Sequence, residues 1–203
     1  SSGDFAVARY TSSGVLDSTF GVAGKIPSLF GTGNDVVTSM ALQNDGKIIV
    51  AGYTVFSSDS DFAMLRYLPD GNLDTTFGTG GKVTTSIGAG TDYGRAVALQ
   101  NDGKIVFAGS SWNGSTFVPV IVRYHPDGSV DSSFGSSGFA TTSFVPGGAL
   151  AIQSDGKIIL AGSGAATSTF AAVRYHADGS LDLSFNGTGQ AIATVGSSFS
   201  YGR

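Results

Sequence analysis

The sequence predicts an all-β fold assembled from repeated four-stranded antiparallel sheets, and three observations predict it. First, the phrase Ala41-Leu42-Gln43-Asn44-Asp45-Gly46-Lys47-Ile48 returns almost letter for letter at Ala98–Ile105 and again at Ala151–Ile158. A return every 50 to 60 residues or so marks stacked modules rather than one mosaic core. Second, each module holds short alternating apolar runs separated by Asp-Gly turns, a strong hairpin signal. Third, all 15 acidic residues are Asp and none is Glu, which removes a strong helix former and leaves an acid that prefers caps and turns. Four antiparallel strands at this period fit a β-propeller blade better than a solenoid coil, whose repeats are shorter and carry one or two strands.

The second full repeat shows the elements in order. The first strand is expected over Ala96–Gln100 and turns at Asn101-Asp102-Gly103. The second runs Lys104–Ala108 and ends at Gly109, and the third runs Val118–Tyr124, carrying a recurring Arg-Tyr pair. A second turn at Pro126-Asp127-Gly128 leads through a connector of the form Leu-Asp-x-x-Phe-Gly (Leu16–Gly21, Leu73–Gly78 and, with Val, Val130–Gly135) to a fourth strand near Phe139–Thr142. In the last connector Asn186 replaces the Gly. Set in phase, the chain is one propeller segment: a half blade over 1–34 (strands Phe5–Tyr10 and Lys25–Phe30), full blades over 35–87, 88–144 and 145–195, and a lead-in over 196–203. Residues Gly196–Arg203 align with Gly88–Arg95, which precede a first strand, so a further blade is expected to follow. Three full blades and a half fall short of the four to eight or so that close a ring, and a larger ring of about seven blades is expected. An unclosed stack exposes apolar faces and strand edges, so the remaining blades of the propeller, or another polypeptide, are expected as partners.

Composition narrows the function classes. The 203 residues include 41% hydrophobic and 13% charged residues, enough apolar material for a sizeable core. A net charge of −4 argues against a nucleic-acid groove, which needs clustered Lys and Arg, and against an anionic membrane surface. No apolar run approaches the roughly 20 residues of a spanning helix, so membrane insertion is not expected. With no cysteine there is neither a disulfide nor a thiolate metal site. Few Lys among many Ser, Thr, Gly and Asn residues suggests an exported protein.

The order of strands and turns resembles the delta-60 repeat family of bacterial β-propellers. The likeness is carried by Arg66-Tyr67, Pro69-Asp70-Gly71-Asn72-Leu73-Asp74, Phe77-Gly78, Gly81-Lys82-Val83 and Ala96-Val97-Ala98-Leu99-Gln100, and it covers essentially the whole chain. It departs where Ser12-Ser13-Gly14 replaces Pro-Asp-Gly, where Ser143–Gly148 shortens one connector, and where Gln190 replaces the Lys at 25 and 82. The resemblance implies a large bacterial protein, extracellular or at the cell surface, and specifies no activity.

Most residues able to do chemistry belong to the repeat. Arg9, Arg66, Arg123 and Arg174 share one position, Lys47, Lys104 and Lys157 another, and Asp17, Asp74, Asp131 and Asp182 recur in the connector. The Arg lies on the strand face of Phe62 and Met64, which predicts a half-buried cation needing an anion, and the connector Asp is the natural partner. A ring of Arg facing a channel ligand is the alternative. Asp59 is nearly the only acid outside the pattern, so the two facing carboxylates of a glycosidase are lacking. No catalytic residue and no cofactor is therefore expected. His125 and His176 each precede a second turn and read as exposed turn residues rather than a metal pair. Calcium stays open, since turn Asp and Asn oxygens are hard ligands, but no segment matches an EF-hand or the Gly-Gly-x-Gly-x-Asp repeat. The glycine-rich Gly78-Thr79-Gly80-Gly81 lacks the strand-to-helix context of a phosphate loop, and the sequons at Asn113 and Asn186 carry no assigned role.

In a four-stranded blade the first-to-second and third-to-fourth connections share one rim. The constant turns thus build one rim, and the variable segments Tyr53–Ser60, Ser110–Thr116 and Ser163–Thr169, with Phe30–Asn34, Gly88–Gly94 and Ser143–Gly147, build the other. Function on a regular scaffold concentrates in such loops. Tyr53, Phe56, Asp59, Tyr93, Trp112 and Asn113 are the candidate ligand-binding residues, aromatics among small polar groups that suit protein or glycan contacts. The expected function is a non-catalytic interaction or adhesion scaffold. The alternative is the propeller part of a polysaccharide-active enzyme whose catalytic residues lie outside this chain.

Overall fold

A computed structural model describes residues 5–28, 34–56, 59–141, 147–163 and 169–194. Among them are 14 strands and no helix. β1 (Phe5–Ala8) and β2 (Lys25–Ser28) form a two-stranded sheet. The first four-stranded sheet contains β3 (Asp35–Leu42), β4 (Ile48–Phe56), β5 (Asp59–Tyr67) and β6 (Lys82–Thr85). The second contains β7 (Asp92–Leu99), β8 (Ile105–Trp112), β9 (Phe117–Tyr124) and β10 (Phe139–Thr141). The third contains β11 (Gly147–Ile152), β12 (Ile158–Ser163), β13 (Thr169–Tyr175) and β14 (Gln190–Thr194). Strands pair antiparallel with their sequence neighbours throughout, the order a meander produces.

Local chemistry accounts for the register. At the first turn of each blade a positive-φ Gly, such as Gly46 at 82°, closes a tight bend that an L side chain would strain. The Asp before it accepts the following Lys amide, as Asp45 does from Lys47 at 3.1 Å, and Gln43 donates its amide to the Lys47 carbonyl at 2.8 Å. A bulge interrupts each first pairing, between Val37 and Ser39, Gly94 and Ala96, and Gly147 and Ala149. It redirects the inner strand so that Thr38 donates to the Gly94 carbonyl at 2.9 Å and the Val97 amide donates to the Ser39 hydroxyl at 3.1 Å, stitching two sheets together.

The sheets stack in chain order with a core between each pair. Ile49, Ala51, Phe62 and Met64 of the first full sheet meet Val97, Phe107, Val120 and Val122 of the second. Phe62 and Phe107 lie with ring centroids 4.6 Å apart. Val106, Ala108 and Ile121 on the reverse of the second sheet meet Leu160, Val173 and Tyr175 of the third. Phe20 and Ile26 cover Ile48, Val50 and Leu65. A Cβ at Gly109 would lie 2.6 Å from the Phe62 ring, so this glycine of β8 is the slot that receives the preceding blade's aromatic. Among the described residues the stack does not close into a ring.

Two expectations are corrected in detail. The second-to-third connections are hairpins, not loops: β4 pairs with β5 out to Phe56 opposite Asp59, and β8 pairs with β9 out to Trp112 opposite Phe117. The polar residues Thr54, Ser60, Ser110 and Ser111 read as loop, yet all are buried ladder residues. The first strand also starts at Asp92, earlier than Ala96, because its polar opening continues the ladder with Ser111 and Ser110. Most of the other variable segments (residues 30–33, 143–146 and 164–168) lie outside the described residues, as does the lead-in 196–203.

Candidate functional site

The constant rim absorbs most of the charge among the described residues. Arg66 Nε donates to Asp74 Oδ2 at 2.8 Å, and Lys47 from the first turn reaches the same oxygen at 3.2 Å. The Thr76 hydroxyl donates to Asp74 Oδ1 at 2.6 Å, and the Arg66 guanidinium lies 4.5 Å over the Phe77 ring. The set recurs as Arg123, Asp131, Lys104, Ser133 and Phe134, and as Arg174, Asp182, Lys157, Ser184 and Phe185. Arg9 and Asp17 pair at 2.8 Å in the half blade. Burial pushes the Asp74 carboxyl upward, but the Thr76 hydroxyl and amide, Lys47 and Arg66 outweigh it and hold the group well below the usual carboxylate range. Asp131 and Asp182 are lowered in the same way, chiefly by the hydroxyls of Ser133 and Ser184. Arg66 and Arg123 are buried rather than half-buried, since the next blade covers them.

That cover is specific. Arg9, Arg66 and Arg123 donate Nη1 to the carbonyls of Pro69, Pro126 and Ala177, each in the second turn of the following blade. Beside each, the amide of Gly21, Gly78 or Gly135 donates to the carbonyl of Asp70, Asp127 or Asp178 at 2.7 to 2.8 Å. His125 and His176 are part-exposed, with Nε2 at 3.7 and 3.6 Å from the Oδ1 atoms of Asp131 and Asp182. Among the described residues no group of three or more acids or histidines is placed to hold a metal ion.

The opposite rim is assembled differently. Tyr53, Tyr93, Phe117 and Trp112 form a continuous string, with centroid separations of 4.9, 5.4 and 5.1 Å, crossing from the first full blade to the second. Arg95, on the bulge, sits 5.9 Å from the Tyr93 ring. Trp112 is 36% exposed and, with Asn113 and the Gly88–Gly90 connector, lines a groove of about 480 Å³. Its amide donates to the Thr91 carbonyl at 3.0 Å, which ties connector to hairpin. Asn113 is itself a turn residue: its Oδ1 accepts the amides of Ser115 and Thr116 at 3.0 and 2.9 Å. Phe56, 51% exposed, and Asp59 face each other at the tip of the first hairpin, and no ring contact among the described residues joins Phe56 to the string.

The sequence reading missed what lies beneath this rim. Thr54 donates to Asp35 Oδ1 at 2.7 Å with both side chains buried. In the next blade Asp92 is fully buried, accepting the Ile87 amide at 2.7 Å and bonding Ser111. Burial pushes the Asp92 carboxyl up, against those hydrogen bonds. Asp35 and Asp92 stand at the same spacing as Lys47 and Lys104, a signal that was available in the chain. Phe117 was missed because it opens a strand rather than a loop.

Stacked four-stranded antiparallel sheets, each latched to the next through a recurring geometry of turn and connector, define a β-propeller repeat protein. The chain belongs to the family described as a β-propeller domain of unknown function (DUF5122), whose sequence pattern matches residues 1–20, 43–77, 100–134 and 153–185. Those four matches contain the recurring Arg-Asp connectors of the half blade and the three full blades. No curated protein matches the chain.

Proposed function

We propose that this protein is a non-catalytic, exported or cell-surface interaction scaffold, with the variable rim as its contact surface. The observation that carries this reading is the aromatic string from Tyr53 through Tyr93 and Phe117 to Trp112, which ends in a groove lined mainly by glycine, alanine and apolar side chains. Aromatic rings on a strand ladder, half-buried at Tyr53, Tyr93 and Phe117 and exposed at Trp112, give contact area at little entropy cost, and the lining is uncharged, which suits a glycan or a neutral peptide better than a charged ligand. A non-catalytic role is favoured because the described Arg residues at the repeat position, and the Lys residues that join them, are tied up in ion pairs that hold the connector. Few Lys among many small polar residues favours export, and the resemblance to delta-60 repeats favours a bacterial surface protein.

Trp112 is the only tryptophan, so its emission reports this rim alone. Titration with an oligosaccharide panel and with neutral peptides should shift that emission for at least one class. Trp112→Ala should abolish the same binding by calorimetry while circular dichroism is unchanged. Binding that survives Trp112→Ala would move the site elsewhere, and cleavage of a panel glycan detected by mass spectrometry would replace the scaffold reading with an enzyme.

A further inference from the structure

Asp-Gly and Asn-Gly share one chemical liability. With no side chain in the way, the glycine nitrogen can attack the carbonyl carbon of the preceding side chain and close a five-membered ring. The outcome depends on how the fold holds the attacking amide, the carbonyl oxygen and the leaving group. The described residues contain six Asp-Gly turns and two Asn-Gly pairs, Asn113-Gly114 and Asn186-Gly187, and these hold the three parts differently.

In the Asp-Gly turns the attacking amide is engaged. Gly46, Gly71, Gly103, Gly128, Gly156 and Gly179 each donate it to the carbonyl three residues back, at 2.9 to 3.0 Å. At Asn186 the leaving group is engaged instead: Nδ2 donates to the Gln190 carbonyl at 3.0 Å, and no amide reaches Oδ1 among the described residues. Asn113 differs on every count. Its Oδ1 accepts the amides of Ser115 at 3.0 Å and Thr116 at 2.9 Å, while neither its Nδ2 nor the Gly114 amide has an acceptor among the described residues. The two donors meet the oxygen on which negative charge develops when the carbonyl is attacked, the arrangement of an oxyanion hole. Residues 113 to 116 are all exposed, and nothing lies within 4 Å of where a Gly114 Cβ would stand, so solvent reaches the attacking amide.

We propose that Asn113 is a self-modification site, at which the fold promotes cyclisation onto Gly114 and converts the side-chain amide into a carboxylate. The Gly114 nitrogen gives its proton to solvent base and bonds to Asn113 Cγ. The tetrahedral oxyanion, held by the Ser115 and Thr116 amides, collapses with cleavage of the Cγ–Nδ2 bond, and Nδ2 leaves as ammonia after taking a proton from water. Water then opens the succinimide, at Cγ to give aspartate or at the main-chain carbonyl to give isoaspartate. No electrons are transferred, and water is the only co-reactant. Asn113 lines the Trp112 groove, whose other lining residues are uncharged, so conversion places one negative charge there.

Trypsin releases Asn113 in peptide 105–123, which carries no other side-chain amide, and Asn186 in peptide 175–203. The test incubates the folded chain at mildly alkaline pH, digests samples over time and measures both peptides by mass spectrometry, with fragmentation that separates isoaspartate from aspartate. Peptide 105–123 should convert roughly tenfold faster than 175–203, a modest share of what oriented oxyanion donors supply in enzymes, and isoaspartate should be among its products. In urea the two Asn-Gly pairs should convert at similar rates. Equal rates in the folded chain would overturn the proposal. So would a ratio that persists in urea, which would assign the selectivity to neighbouring residues rather than to the fold. Aspartate formed without isoaspartate would also overturn it, since direct hydrolysis needs no attack by Gly114.

Discussion

The two rims of the stack are made from the same strands and use their charges in opposite ways. On the constant rim the connector Asp of each full blade is surrounded by an Arg, a Lys and a hydroxyl, and its carboxyl is held low. On the variable rim Asp92 is buried with hydrogen bonds but, among the described residues, no ion pair, and its carboxyl is pushed up. One rim is therefore stabilised by ionisation and the other carries a cost for it. The difference shows where a repeat protein can vary: the rim whose charges are neutralised within the repeat is fixed, and the rim held by hydroxyls and backbone amides is free to change its side chains.

The sharpest break in that comparison is Arg123→Ala. It leaves Asp131 buried with Lys104, 3.3 Å away, as its remaining cation, and breaking such a buried pair costs up to about 3 to 5 kcal/mol, read from urea unfolding. Arg9→Ala should cost clearly less, because its pair is more exposed. Equal losses would mean that the next blade's cover contributes nothing.

Acid should separate the rims next. The connector carboxyls have folded values below the ordinary 3.8, so their contribution is present in full above about that pH and is lost as the pH falls through the lowered values. Asp92 has a raised folded value, so its cost at neutral pH is relieved as the pH falls through it, before the connectors begin to titrate. Stability against pH should rise slightly on acidification and then drop. Asp92→Asn should flatten the rise and leave the drop, and a variant that still shows the rise would place its origin elsewhere.

The smallest expected effect is on the variable rim itself. Trp112→Ala should change unfolding free energy by about 1 kcal/mol or less, as for a partly exposed side chain away from the core. A larger loss would make Trp112 a structural cover of the hairpin.

Much of this architecture is legible in the chain, for physical reasons that also mark the gaps. Arg66 and Asp74 recur together at fixed spacing in four copies, so their proximity follows from one strand, one turn and one connector. The turns are legible because Asp-Gly has few other uses between apolar runs. Thr54, Ser110 and Ser111 were misplaced because hydroxyl residues at a hairpin end carry the same pattern whether they are solvated or buried in a ladder. Asp35 and Asp92 escaped notice because Val145 stands at the corresponding place in the next repeat. The aromatic string crosses two blades, and a contact between separate repeats leaves no trace in the spacing of either.

All three closed latches also share a direction: the donors sit in one blade, and the acceptor carbonyls lie 43 to 60 residues further along the chain. At a synthesis rate of about 5 to 20 residues per second, each set of donors emerges on the order of 2 to 12 s before its acceptors exist. During that interval the newest blade has a finished trailing side and an unsatisfied leading side. Assembly is thereby given a polarity from the first residue to the last, so that each blade serves as the template on which its successor is laid down.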